Sequence, residues 1–272
     1  MARSSRLLQE ATRTARQSTD GPARVLTYHR FGVTPRDPFC VAPRDFAQHM
    51  NYLARTGLAI SLDQLRGFVR ERCAVPHDSV MVTIDDGFRS VLDQAMPILR
   101  DNAIPAVAFV SGDLIGSKRR TAGADADPED YLHWRDLEAL ALAGISIQSH
   151  GCSHRSLRYL SRQQAADELG RSRKQLQERL GSEVAAFAYP FGTRADFDAT
   201  IATMAGEAGY ELAFTSQHGP IRGGDDALTL PRIKVESGES LSTFVSLVHG
   251  GLDAWGWIDR NLWRIQASRR AA

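Results

Sequence analysis

Two acidic residues in succession, Asp85-Asp86-Gly87, directly follow an apolar run. Further along, Ser149-His150-Gly151-Cys152-Ser153-His154 places two histidines four apart, again just after an apolar run. Histidine and carboxylate are the ligand types that hold a borderline divalent cation, and histidines at this spacing share one face of a helical turn. Two carboxylates ionising side by side in a low-dielectric site repel each other, and a dication removes that penalty. Successive residues leaving a strand point in different directions, so one aspartate can ligate while the other faces a substrate. Each segment also has a structural reading. Asp85-Asp86-Gly87 suits a turn that caps a helix from Phe88 onward, and a buried histidine is often satisfied by a core hydrogen bond. Cys152 can ligate too, but a carboxylate supplies a third ligand better, so Cys152 is expected to pack inward. Two histidines and one carboxylate leave positions for water and substrate, which is a hydrolase arrangement.

Such residues need elements to position them. Short apolar runs at 24–28, 80–84, 106–110, 145–148, 185–188, 212–215 and 230–235 read as strands. Between them lie amphipathic segments at 43–56, 91–99, 134–142, 162–180, 197–208 and 241–248. In the first, Phe46, Met50 and Leu53 share a face. Ser61 is placed to cap a short helix through Leu65 and Phe68. Gly181 and Gly209 stand where helices must end. The polar stretch 112–130 reads as an exposed loop over one rim. This alternation predicts an α/β fold. His29, Asp85-Asp86, His150 and Tyr189-Pro190-Phe191-Gly192 all follow predicted strands. Loops at the carboxyl ends of strands build the sites of such folds.

The composition narrows the partners. The 272 residues are 43% apolar, enough for a sizeable core, and 33 basic side chains nearly cancel 32 acidic ones. A balanced charge excludes an electrostatic case for nucleic acid. Three widely spaced cysteines, Cys40, Cys73 and Cys152, imply no disulfide framework and fit a reducing compartment. There is no apolar run long enough to be a transmembrane segment. Residues 1–20 carry Arg3, Arg6, Arg13 and Arg16 without the apolar stretch of a secretory signal, so a cytoplasmic location is expected, with non-standard export as the other route. Leu7, Leu8 and Ala11 can share a helical face opposite those arginines. Such a basic helix would make weak membrane-surface contact, whereas the alternative is a solvated, frayed end.

Taken in order, Thr83-Ile84-Asp85-Asp86-Gly87, His150-x-x-x-His154 and Phe187-Ala188-Tyr189-Pro190-Phe191-Gly192 resemble the motifs of the polysaccharide deacetylases, the NodB-homology enzymes of carbohydrate esterase family 4. Leu26-Thr27-Tyr28-His29 and Ile60-Ser61-Leu62-Asp63 are similar to the branch of poly-N-acetylglucosamine deacetylases, in which the barrel elements are permuted. The resemblance spans about residues 24–252. It implies a distorted (β/α) barrel of the NodB-homology type with about seven strands, occupying residues 23–252 between an extension (1–22) and a tail (253–272). The implied reaction is metal-dependent hydrolysis of N-acetyl groups on an amino sugar of a glycan or glycan precursor. Asp86, His150 and His154 would hold the metal, Zn²⁺ first, with Co²⁺, Ni²⁺ or Fe²⁺ accepted by the same ligands. Asp85 would be the general base and His29 the general acid, with His218 and His249 as rival acids. Tyr189, Pro190, Phe191 and Gly192 would line the substrate groove, where a backbone N–H can hold an oxyanion.

The sequence departs from that family at one position. Many members carry an arginine two residues before the proline of the Tyr-Pro segment, and it orients the base; Ala188 stands there in this chain. Arg232 is the candidate substitute and a candidate substrate-side residue. Trp134, Tyr189, Phe191, Trp255 and Trp257 have faces that stack on sugars, with core packing as the competing use for the tryptophans; Tyr189 and Trp134 are read as substrate contacts. Two other functions stay open. The site can serve a small non-sugar amide or an O-acetyl ester, or the chain can be a non-catalytic glycan-binding protein.

Overall fold

The apolar runs become strands because helices on one side and an interior on the other bury both of their faces. The structure, a computed structural model, describes residues 17–18, 21–34, 37–118 and 130–256. Its main sheet is built from β1 (Ala23–Tyr28), β2 (Ser79–Ile84), β3 (Ala106–Val110), β4 (Ile145–Ser149), β5 (Ala186–Ala188), β6 (Leu212–Phe214) and β7 (Ile233–Lys234). Their order is β6-β5-β4-β3-β2-β1-β7, and every pairing is parallel. The last strand therefore lies beside the first. Between the two edge strands, Phe214 of β6 pairs with Leu230, just upstream of β7, so the sheet curls into a distorted (β/α) barrel. Two short ladders lie apart from it: Gln17–Ser18 against Val75–Pro76, and Arg30–Phe31 against Cys40–Val41.

The helices are α1 (Pro43–Thr56), α2 (Leu62–Glu71), α3 (Met96–Asp101), α4 (Trp134–Leu142), α5 (Arg162–Leu180), α6 (Ala199–Glu207) and α7 (Leu241–Val248). Local chemistry sets their ends. Ser61 with Gln64, and Ser161 with Gln164, form reciprocal capping boxes at the starts of α2 and α5. Gly57 and Gly181 close α1 and α5 in the left-handed conformation. Three expected boundaries move. The helix read at 91–99 opens with a π-helical turn, Val91–Ala95, before α3. The helix read at 197–208 starts at Ala199, because the Asp198 side chain accepts from the Ile201 N–H. The strand read at 230–235 shrinks to β7, since Pro231 has no N–H for a ladder.

Side-chain alternation splits the core in two. Leu26, Val80, Val82, Ala108 and Phe187 point outward into the layer that covers the helices. Val25, Met81, Val107, Phe109, Ala188 and Phe214 point inward and fill the barrel with Leu65 and Phe68 of α2. That inner face is where polar residues at the strand ends converge. The basic segment 1–16, the middle of the rim loop (119–129) and Trp257 lie outside the described residues. Asp253, just past Leu252, pairs with Arg24 of β1 at 2.8 Å. Among the described residues no helix is long and apolar enough to cross a membrane.

Candidate active site and metal centre

At the carboxyl ends of the strands a cleft of about 350 Å³ is bordered by His29, Asp85, Asp86, His150, His154, Phe191 and Arg232, among others. Strand parity explains the choice. Met81, Thr83 and Asp85 share the inner face of β2, and Arg232 and Lys234 share that of β7, while Ile233 faces outward.

Asp86 Oδ1 lies 3.4 Å from His150 Nε2 and 3.1 Å from His154 Nε2. Bonds of about 2.0–2.1 Å to a tetrahedral cation imply ligand atoms about 3.3 Å apart. The three side chains therefore fit a metal of that size. They are also the only such group of three among the described residues. His150 is fixed by Nδ1, which lies 2.7 Å from the Ala188 carbonyl; donation there leaves Nε2 as the ligating atom. The hairpin that carries both histidines is gripped from α5. Glu168 accepts from the N–H groups of Cys152 (2.7 Å) and Ser153 (2.9 Å) and from the Ser153 hydroxyl (2.5 Å). Cys152 packs inward, and burial pushes its thiol up to about 12. Asp86 and His154 adopt positive φ (72° and 53°), as does Phe191 (62°). Non-glycine residues in this region cost about 1–3 kcal/mol each and cluster at functional sites. Gly87 is a steric requirement, since a Cβ there would sit 3.0 Å from Val110 Cγ1.

Charge is concentrated in the same place. Burial raises the pKa of Asp86, but hydrogen bonds from His150 and His154 outweigh it and hold the carboxyl well below its usual range. Burial lowers that of His154, and Asp86 more than compensates, so it ends raised.

Arg232 pairs with Asp85. Its Nη1 and Nη2 donate to Asp85 Oδ1 (2.8 Å) and Oδ2 (2.7 Å), and Nε donates to the Thr215 carbonyl (2.9 Å). Both partners are fully buried. Burial raises the Asp85 pKa, but Arg232 and His150 outweigh it and the carboxyl stays below its ordinary range. His29 borders the cleft beside Phe39, ring centroids 4.9 Å apart. Burial lowers its pKa more than Asp86 and Asp85 raise it, so the neutral imidazole prevails at neutral pH. The rival acids are elsewhere. His249 bonds Asp78, which precedes β2, at the opposite end of the sheet from Asp85. His218 does not border the cleft.

The expected aromatic contacts need correction. Trp134 lies outside the cleft; it packs on the outer core, with the Arg179 guanidinium 5.1 Å from its ring centroid. Tyr189 borders the cleft but continues the outward parity of Phe187. Its ring stacks on Phe197 at 4.5 Å and its hydroxyl donates to the Leu228 carbonyl. It therefore offers the cleft its backbone rather than a stacking face. Pro190 and Gly192 are buried behind the rim. A Cβ on Gly192 would lie 2.6 Å from Ser216 N, so glycine is what lets that loop approach. Phe191 is the aromatic residue that projects, 52% exposed and edge-on to His154 at 4.9 Å. Sequence reading missed Thr27, Ser216 and Lys234, which also border the cleft. The parity of β1 and β7 was the available signal for Thr27 and Lys234.

The chain is similar to known proteins in sequence and in fold. The profile of the family described as polysaccharide deacetylase matches residues 73–213. YxkH of Bacillus subtilis (strain 168), whose name places it among polysaccharide deacetylases, is 25% identical over 229 residues, 83% of this chain and 76% of that protein. The fold is shared with the Streptococcus pyogenes deacetylase PplD, solved in complex with acetate (TM-score 0.74, 22% identity, 84% of this chain, 99% of that one). It is shared as well with IcaB from Ammonifex degensii (TM-score 0.70, 24% identity, 87% and 97%).

Proposed function

Because the chain belongs to the polysaccharide deacetylase family, whose members deacetylate glycans, we propose that it is a metal-dependent enzyme that removes N-acetyl groups from an amino sugar of a glycan or glycan precursor. The observation that carries this reading is the spacing of Asp86 Oδ1 to the two histidine Nε2 atoms, 3.4 and 3.1 Å, beside the Arg232–Asp85 pair. Two nitrogens and one carboxylate oxygen suit Zn²⁺, and Co²⁺, Ni²⁺ or Fe²⁺ by the same chemistry. When bound, the cation supplies Lewis-acid polarisation of the acetyl carbonyl and activation of water.

The chain's own residues do the rest. Asp85 is the general base and takes a proton on its carboxylate. Arg232 fixes both of its oxygens, so the base has one orientation, and it keeps the carboxylate ionised and ready. An oxyanion donor is expected from the segment 189–192. The Tyr189 N–H is committed to the Phe214 carbonyl and that of Gly192 to the Pro190 carbonyl, and proline has none. Phe191 N–H is the donor left for the task. His29 gives the departing nitrogen its proton. Only its protonated form can do so; the lowered pKa keeps that imidazolium a minority at neutral pH and makes it the stronger acid.

The test is acetate release from N-acetylglucosamine oligomers with Zn²⁺ or Co²⁺ added, comparing wild type with Asp86→Ala. Wild type is expected to release acetate, and both the substitution and a chelator are expected to stop it. Stoichiometric metal without release would transfer the site to a small amide or an O-acetyl ester. A protein that binds no metal would refute the reading.

A further inference from the structure

The cleft has two unlike groups of lining residues. Asp85, Asp86 and the histidine hairpin come from the ends of β2 and β4. The rest of the lining includes Ser216, which follows β6, Lys234, which ends β7, and Thr27, near the end of β1 beside β2. Alternation puts Lys234 on the same face of β7 as Arg232, one step nearer the mouth, and the strand register sets it beside Thr27.

The hydroxyls on this part of the wall are unusual. Thr27 Oγ1 and Ser216 Oγ are buried, and neither has a hydrogen-bond partner in the protein. They are the only such hydroxyls among the described residues, and both border the cleft. Thr27 is 3% exposed. Their neighbours behave otherwise: Thr83 Oγ1 donates to the Leu26 carbonyl at 2.8 Å and Thr215 Oγ1 to the Leu230 carbonyl at 3.2 Å. Among the described residues, the buried hydroxyls without a partner are therefore the ones that border the cleft. A buried hydroxyl without a partner is costly and needs a reason, and a ligand that completes it is one.

We propose that Thr27 and Ser216, with Lys234 between them along the wall, form the subsite that holds ring hydroxyls of the sugar whose acetamido group faces Asp85 and the metal ligands. The proposal rests on the deacetylase reading of the cleft. The chemistry is complementary. A pyranose hydroxyl both donates and accepts, as Thr27 and Ser216 do, while the Lys234 ammonium only donates. An acetyl compound without ring hydroxyls leaves the wall unsatisfied, so this wall sets the preference for a sugar.

Thr27→Val and Ser216→Ala delete the hydroxyls while nearly keeping shape. A hydroxyl kept for a ligand costs stability, so the thermal midpoint of each substrate-free variant is expected to hold or rise by about 2–5 °C. KM for N-acetylglucosamine oligomers is expected to rise about tenfold per hydroxyl, with kcat falling far less. The loss should be smaller on phenyl acetate, which has no ring hydroxyls. A lower midpoint with unchanged KM would make the hydroxyls structural and overturn the proposal. So would an equal loss on both substrates, which would place them at the reacting acetyl group. If the wild type releases no acetate from any oligomer, the deacetylase reading fails instead. Calorimetric binding of the N-acetylglucosamine trimer to wild type and Thr27→Val then decides the wall by itself, and equal affinity would sink it.

Discussion

Arg24 and Arg232 are both buried guanidinium groups neutralised by aspartate, and they sit at opposite ends of the same barrel. Arg24 opens β1 at the amino end. Its partners are spread over three segments: Asp78 (2.8 Å), Asp253 (2.8 Å) and the Val248 carbonyl (2.9 Å). Both aspartates are partly exposed, and Asp78 also meets His249 and His77. Arg232 sits at the carboxyl end and spends its fork on one fully buried carboxylate that opens onto a cleft. The first arrangement fastens the segment after α7 to the base of the barrel. The second fixes the orientation and charge of one group. A buried ion pair alone therefore says little about function. The end of the sheet it occupies and the cavity its carboxylate faces decide.

The sharpest way to break this comparison is to make the same substitution at both ends. Arg232→Met is expected to lower kcat for acetate release by about 10²-fold or more, the range ascribed to a general base, because Asp85 loses both its orientation and its compensating charge. Arg24→Met is expected to cost about 3 kcal/mol in stability, measured by urea denaturation, with turnover per folded molecule retained. Equal losses of turnover at both ends would erase the distinction.

A smaller effect is expected one layer behind the proposed metal ligands. Glu168→Gln keeps the shape but weakens three charge-assisted hydrogen bonds to the histidine hairpin. Metal affinity should fall about 10–100-fold, the range for groups that orient ligands, as read by titration with a chromophoric chelator. Unchanged affinity would show that the hairpin holds its form without α5.

The smallest effect is electrostatic and belongs to the amino end. Burial raises the pKa of Asp78, but hydrogen bonds from His249 and Arg24 outweigh it and the net shift is downward. A depressed folded-state pKa stabilises above the unfolded value and loses that contribution as pH falls through the folded one. The gap in thermal midpoint between wild type and Asp78→Asn should therefore be full near neutrality and close below about pH 4. A gap that persists in acid would mean that the aspartate acts through shape rather than charge.

Much of the molecule was legible in the chain because its signals are local. α1, α4, α5 and α7 run where their apolar period and caps place them, since a capping box such as Ser161 with Gln164 spans one turn. The strands that end in Asp85-Asp86 and Ser149-His150 announce themselves by short apolar runs, and the rule that strand ends build sites brought Asp86, His150 and His154 to one place. Trp134 was misjudged because a tryptophan has the same composition on a rim as on a core. Only the neighbours Arg179 and the outer apolar layer settle its use. Tyr189 borders the cleft as expected, but its ring direction was not legible: its parity was readable from Phe187, whereas the direction of that parity depends on which face the helices cover.

The sequence by itself picked out Asp86, His150 and His154 as a candidate cluster and the α/β alternation, because residue type, spacing and hydrophobic period act over one turn or one strand. Arg232 was a candidate partner for the base from the sequence, but only the tertiary structure shows its fork on Asp85, 147 residues away. It alone turned the Tyr189 ring onto Phe197 and brought Thr27, Ser216 and Lys234 to the same cleft. These facts depend on how a curled sheet brings its first and last strands together, and no local pattern encodes that closure.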